Sequence, residues 1–127
     1  MIMVTRFQIW LVELNPTKGK EINKTRPCVI ISPDELVALS TVLVAPMTTK
    51  GFEFPCRVKC EFSGKEDLIL LDHIRAVDKL RLVKNLGILD KETQIELCEC
   101  LQELFAYWNY QNLLPIQILN CIYFMFQ

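Results

Sequence analysis

The chain holds a single histidine, His73, and none of its six cysteines forms a CxxC pair. The first scarcity excludes acid–base catalysis by a histidine pair. Together they argue against a structural zinc site, which draws on paired cysteines and histidines. A broad basic excess is also missing. Lys+Arg number 14 against 15 Asp+Glu, so a non-specific nucleic-acid coat protein is excluded and any contact with a polyanion has to be local. No apolar run reaches the ~20 residues of a membrane span, and no signal peptide opens the chain. A reduced, cytoplasmic protein is the expectation, with Cys28, Cys98 and Cys100 serving as small buried hydrophobes.

What is present suits one domain of 127 residues with a polar asymmetry. Residues 1–65 carry 9 Lys+Arg against 6 Asp+Glu, and residues 66–127 carry 5 against 9, so an anion site belongs in the first half. Residues 17–32 are its natural centre, a cationic loop running into an apolar strand. Lys18, Lys20, Lys24 and Arg26 surround the single carboxylate Glu21, and Gly19 offers a hinge or a positive-φ position. Pro27 disfavours the helical region for the residue before it, so Arg26 is held extended at the mouth of the strand.

Short strands are predicted at Phe7–Glu13, Cys28–Ile31, Thr41–Ala45, Arg57–Phe62, Leu68–Leu71, Ile74–Val77 and Val83–Leu89, with a turn at 63–65. Ser32 or Asp34 is expected to cap one helical turn over 34–39. Pro46, which donates no ladder hydrogen bond, is placed at the end of its strand, leaving 47–55 as a second polar loop. Asp90 caps a helix whose stripe is Ile95, Cys98, Leu101, Phe105 and Trp108, widened by Leu97 and Leu104. Strands so spaced, closed by one helix, predict a mainly β, α+β fold of the small barrel or sandwich type.

Three blocks carry a family likeness: residues 14–21 (LNPTKGKE) with 24–33 (KTRPCVIISP), residues 44–51 (VAPMTTKG), and residues 71–78 (LDHIRAVD). In this order the chain resembles the MazF/PemK family of toxin endoribonucleases over residues 7–108. The resemblance implies an SH3-like barrel with a C-terminal amphipathic helix over residues 1–108, and leaves 109–127 as an atypical apolar extension. It also implies a metal-independent, cofactor-free, sequence-selective cut of single-stranded RNA by 2′-hydroxyl attack, a homodimer, and an acidic, initially disordered antitoxin as partner. Two rival readings stand beside it: a CcdB-like poison of DNA gyrase on the same fold, and an inactivated homologue that only binds antitoxin.

Such a cut needs a group to deprotonate the 2′-hydroxyl, a group to protonate the leaving 5′-oxygen, and donors for the phosphorane-like charge. The planar fork of Arg26 suits the last task, Thr48 donates one hydroxyl hydrogen bond, and Glu21 is the loop's only carboxylate base. By resemblance Arg26 and Thr48 fall at the family's two principal catalytic positions and Glu21 at one used by some members. The bland alternatives are an Arg26 ion pair at the barrel rim, a Thr48 turn cap, and a Glu21 that only neutralises Lys18 or Lys20. Around this core Lys18, Gly19, Lys20, Lys24 and Thr49 are RNA-binding candidates. Lys50, Arg57 and Lys59 are set to follow the RNA backbone, and Trp10 or Phe52 to stack a base. His73 is read as structural, and Asp72 with Arg75 as an internal or interface pair.

Overall fold

A computed structural model describes residues 3–107. Seven strands alternate with short turns: β1 (Gln8–Glu13), β2 (Thr25–Ile30), β3 (Thr41–Thr48), β4 (Arg57–Phe62), β5 (Lys65–Leu70), β6 (Arg75–Asp78) and β7 (Leu82–Ile88) precede a single helix, α1 (Lys91–Phe105). The strands form one antiparallel sheet in the order β4-β5-β3-β2-β1-β7, with β6 paired to β3 off this path. Every expected strand is present, shifted by a few residues at most ends.

The sheet curls because β3 changes partners along its length. Its residues 41–46 pair with β6 and β2, whereas Met47 and Thr48 pair with Ile69 and Leu68 of β5. This makes a half-barrel with one C-terminal helix. It also corrects the expected strand end: Pro46 lies within β3, opposite Cys28, and the polar loop starts only after Thr48.

Side-chain alternation along β2 and β3 loads both faces of the sheet. Val29, Ile31, Ala45 and Met47 join Ile9, Val58, Ile69, Leu71, Leu97 and Leu101 in one core. Cys28, Ile30, Val42 and Val44 join Trp10, Val12, Leu14, Val77 and Leu82 in another. A strand buried on both faces reads as a continuous apolar run, which is why the stretch after Pro27 is unbroken in sequence. The β4–β5 hairpin turns through Ser63 and Gly64, both at positive φ, between the paired Phe62 and Lys65.

The helix packs on β4 with only part of the expected stripe: Leu97 and Leu101 are in the core and Cys98 packs against it. Thr93, Leu97 and Leu101 are buried, while Ile95 and Phe105 are 50% and 73% exposed. The apolar positions at 95, 98, 101 and 105 share one helical spacing, yet the fully buried Leu97 sets the face that docks. Asp90 occupies the N-cap position without a side-chain cap bond; instead the Gln94 side chain donates to the Leu89 carbonyl at 2.8 Å. The turn after β2 is a 3-10 helix at Asp34–Leu36, where Ser32 accepts from Leu43 N–H and Asp34 from Arg6 N–H, so neither caps it. Trp108 and the extension 109–127 lie outside the described residues.

Candidate active site

The site is made where β2 and β3 part. Their ladder runs through Ile30–Val44 and Val29–Ala45 to Cys28–Pro46, and no further rung follows. Pro27 and Pro46 flank this end, and a proline has no N–H with which to extend a ladder. Two residues beyond the last rung, on either strand, stand Arg26 and Thr48. By the alternation of strand side chains both belong to the face that carries Cys28 and Val44. One is still held by β1, through the Val12–Arg26 rung, and the other already by β5, through Thr48–Leu68.

The guanidinium of Arg26 donates from Nε to the Asn23 carbonyl at 3.2 Å. Among the described residues no hydrogen bond or ion pair engages its two terminal nitrogens. They are the two donors a phosphate fork requires. Thr48 is buried, and its hydroxyl is turned on its own loop, donating to the Lys50 carbonyl at 3.0 Å and accepting from Lys50 N–H at 3.1 Å. The turn-capping alternative for Thr48 is thus realised in the unliganded chain. A hydroxyl has one hydrogen to give, so a contact with phosphate requires Thr48 to rotate it off Lys50.

The loop from Leu14 to Lys24 is pinned at its base and open at its tip. Leu14 N–H donates to the Lys24 carbonyl at 3.0 Å and Lys24 N–H to the Asn15 side chain at 3.1 Å, with Lys24 itself at a φ of 66°. Glu13 closes the neighbouring rung by accepting from Asn15 N–H and the Thr25 hydroxyl, bonds that hold its carboxylate below the usual range. At the tip Gly19 adopts a φ of +59°, the second of the two roles expected of it, and Lys18, Lys20, Glu21 and Lys24 are exposed. Lys20 and Glu21 overhang a cleft of about 630 Å³, floored by Leu14, Ile22 and Pro46 and walled by Asp72, His73, Ile74 and Arg75. A larger cleft of about 840 Å³, between the β4–β5 hairpin and the start of α1, lies away from Arg26 and Thr48 and includes Lys59 but no other predicted site residue.

Several predicted contacts are placed elsewhere. Trp10 is 7% exposed, its ring in the second core and its indole N–H donating to Gln8, so it offers no face to a base. Arg57 is engaged within the protein: it forms a two-bond fork on Asp72, from Nε at 3.3 Å and Nη2 at 3.1 Å, and its Nη1 donates to the Phe52 carbonyl at 3.1 Å. Asp72 therefore pairs with Arg57, not with Arg75, which donates to the Leu14 carbonyl. Burial acts to raise the Asp72 carboxyl, but the Arg57 hydrogen bonds and charge outweigh it and hold it below the usual range. Lys59 is drawn to Glu53 at 2.5 Å. His73 lies 3.5 Å from Asp72 at the cleft wall. Phe54, not singled out from sequence, meets Phe52 edge-on with ring centroids 6.0 Å apart; the Phe-Glu-Phe spacing was its only signal. Among the described residues no three His, Cys, Asp or Glu side chains are grouped as metal ligands.

The fold and site thus amount to a curled antiparallel half-barrel with one C-terminal helix, in which the parted ends of β2 and β3 carry an arginine beside a cationic loop. The family model for the PemK-like, MazF-like toxin of type II toxin-antitoxin systems matches residues 5–105, and the chain belongs to that family. It is 32% identical over 117 residues to the Endoribonuclease MazF of Staphylococcus epidermidis, an alignment covering 87% of this chain and 98% of the relative. The crystal structure of MazF from Deinococcus radiodurans superposes with a TM-score of 0.73 at 20% identity, covering 84% of this chain and 100% of that one. A mycobacterial endoribonuclease in complex with its cognate antitoxin superposes with a TM-score of 0.69 at 20% identity, covering 84% and 100%.

Proposed function

We propose that this member of the MazF-like toxin endoribonucleases cuts single-stranded RNA in the cytoplasm, sequence-selectively and without a metal, at the gap between β2 and β3. The observation that carries the reading is the placement of Arg26 and Thr48, opposed across the point where the ladder stops, with the arginine's terminal nitrogens unengaged by the described protein. In this reading the phosphate enters beside Pro27 and Pro46, Arg26 grips its two non-bridging oxygens, and Thr48 turns its hydroxyl from Lys50 to one of them. Attack by the neighbouring 2′-hydroxyl expels the 5′-oxygen, leaving a 2′,3′-cyclic phosphate and a 5′-hydroxyl. Glu21, on the loop above, is the carboxylate available to take a proton, and Lys18, Lys20, Lys24 and Lys50 raise the local anion concentration. Residues on both sides of a two-fold axis complete the groove if the chain pairs as a homodimer.

The antitoxin, in this reading, is a short acidic and apolar segment that folds over the 17–26 and 47–54 loops and covers Arg26. A solved neighbour bound to its cognate antitoxin supports such a partner. Gyrase poisoning draws no comparable support, since the curated relative is an endoribonuclease. The direct test is incubation of the purified chain with a long RNA: discrete fragments are expected, and intact RNA would refute the proposal.

A further inference from the structure

The loop between β3 and β4 carries a built feature that phosphate contact by Arg26 and Thr48 does not explain. Phe52 and Phe54 are exposed, at 67% and 50%. Arg57 holds them: its guanidinium carbon lies 4.6 Å from the Phe52 ring centroid while its nitrogens fix the Phe52 carbonyl and the Asp72 carboxylate. The arginine side chain is itself 13% exposed. The cation thus sits over the Phe52 ring, Phe54 meets that ring at 86°, and two thirds of Phe52 stays open to solvent. Glu53, the residue in the loop that would repel a polyanion, is neutralised by Lys59.

The platform is tied to the site. Lys50, two residues before Phe52, is the partner of the Thr48 hydroxyl, and a Cβ at Gly51 would stand 3.4 Å from Thr48 Cγ2 and 3.9 Å from Arg57 Nη1. The loop therefore runs directly from Thr48 over Arg57. We infer that Phe52, edged by Phe54, is a stacking platform for one nucleobase of the RNA beside the cut, and that Arg57, itself locked by Asp72, is the positioning residue that sets it. A guanidinium on one face of a ring and a base on the other is a favourable stack, because every base offers a π-face and the cation withdraws charge from the ring between them. An exposed ring left loose would lose much of this to side-chain entropy. The inference rests on the endoribonuclease reading above and names the part of the strand that this loop holds.

The test uses the full chain and a long RNA on which wild-type cuts are mapped. A synthetic oligonucleotide spanning one cut is then made with each nucleotide in turn replaced by an abasic one. Wild type should lose roughly 5- to 150-fold in kcat/KM at one abasic position. Phe52→Leu should lose a similar factor on the intact oligonucleotide and nothing further at that position, and Phe52→Tyr should recover the wild-type profile. Arg57→Ala should reproduce the Phe52→Leu profile, be non-additive with it, and be restored only partly by Arg57→Lys, which lacks the fork. A purely structural role would depress all substrates alike and leave the abasic profile unchanged, contradicting the inference. So would a Phe52→Leu chain with a wild-type abasic profile but weakened binding of an acidic antitoxin peptide, since the platform would then serve the antitoxin. Should Arg57→Ala fail to fold, the two Phe52 variants, at an exposed side chain, still decide. A wild type that cuts no RNA overturns the endoribonuclease reading and this one with it; a wild type that cuts RNA but has no sensitive abasic position overturns this one alone.

Discussion

Arg26 and Thr48 stand opposite each other two residues past the Cys28–Pro46 rung, on strands that have just ceased to pair. The relationship follows from two prolines. Pro27 and Pro46 cannot extend the ladder, so β3 turns to β5 while β2 stays with β1, and the space between them is bordered by the arginine and the threonine.

Replacing Arg26 with Ala removes the charge proposed to grip the phosphate and should slow RNA cleavage on the order of 10²- to 10⁴-fold. Thr48→Ala loses one neutral donor and should cost less, on the order of 10- to 10³-fold, and Arg26→Lys should not recover the loss because a point charge makes no two-bond contact. Single-turnover rates on a mapped oligonucleotide check the order. A Thr48→Ala chain more impaired than Arg26→Ala would reverse the assigned weights.

The helix gives a test of packing. Leu97 is fully buried, so Leu97→Ala should destabilise the chain by about 2–5 kcal/mol, whereas Ile95→Ala at a half-exposed position should cost below about 1 kcal/mol. Urea denaturation of the two variants distinguishes this register from the one that the apolar spacing suggested.

The Arg57–Asp72 pair should be visible in acid. Its carboxyl is held below the usual range, so the stability it contributes is complete above the unfolded value and is lost as pH falls through the lower folded value. The stability gap between wild type and Asp72→Asn should therefore be constant near neutrality and close as pH drops below about 4. With a third of the carboxylate side chain open to solvent, the gap should stay below about 1 kcal/mol. A gap that widened on acidification would contradict the assigned sign.

Asp67 behaves oppositely. It is 5% exposed and its Oδ1 has no partner among the described residues, and burial pushes its carboxyl up. A raised folded value means the charged form costs stability above it and the cost disappears as pH falls. Asp67→Asn should thus stabilise the chain at pH 7 by on the order of 1 kcal/mol, with the advantage fading in acid. A thermal melt at two pH values measures it.

Much of this was legible in sequence because the signals are local. The strand after Pro27, the turn at Ser63–Gly64 and the positive φ of Gly19 each follow from the residue in place. The likeness of three short blocks to a family located Arg26 and Thr48. What was not legible depends on contacts far apart in the chain. Arg57 and Asp72 are 15 residues apart, and nothing in either stretch says that Asp72 pairs with Arg57 and not with Arg75. Trp10 carries the residue type of a stacking platform, but its strand turns it into the core. Pro46 reads as a strand end and is one for the β2 ladder, yet β3 continues because β5 supplies a second partner. The docking face of α1 is chosen by β4, against which Leu97 fits.

The central claim is that the parted ends of β2 and β3 cut RNA through its own 2′-hydroxyl, and the most direct measurement is the chemistry of the ends. An oligonucleotide spanning a mapped cut, and the same oligonucleotide with one deoxyribose at the cut, are incubated with the chain in EDTA and the fragments resolved by mass. The account predicts a 2′,3′-cyclic phosphate and a 5′-hydroxyl from the first and no cleavage of the second. Fragments ending in a 3′-hydroxyl and a 5′-phosphate, or cleavage at the deoxyribose, would contradict it.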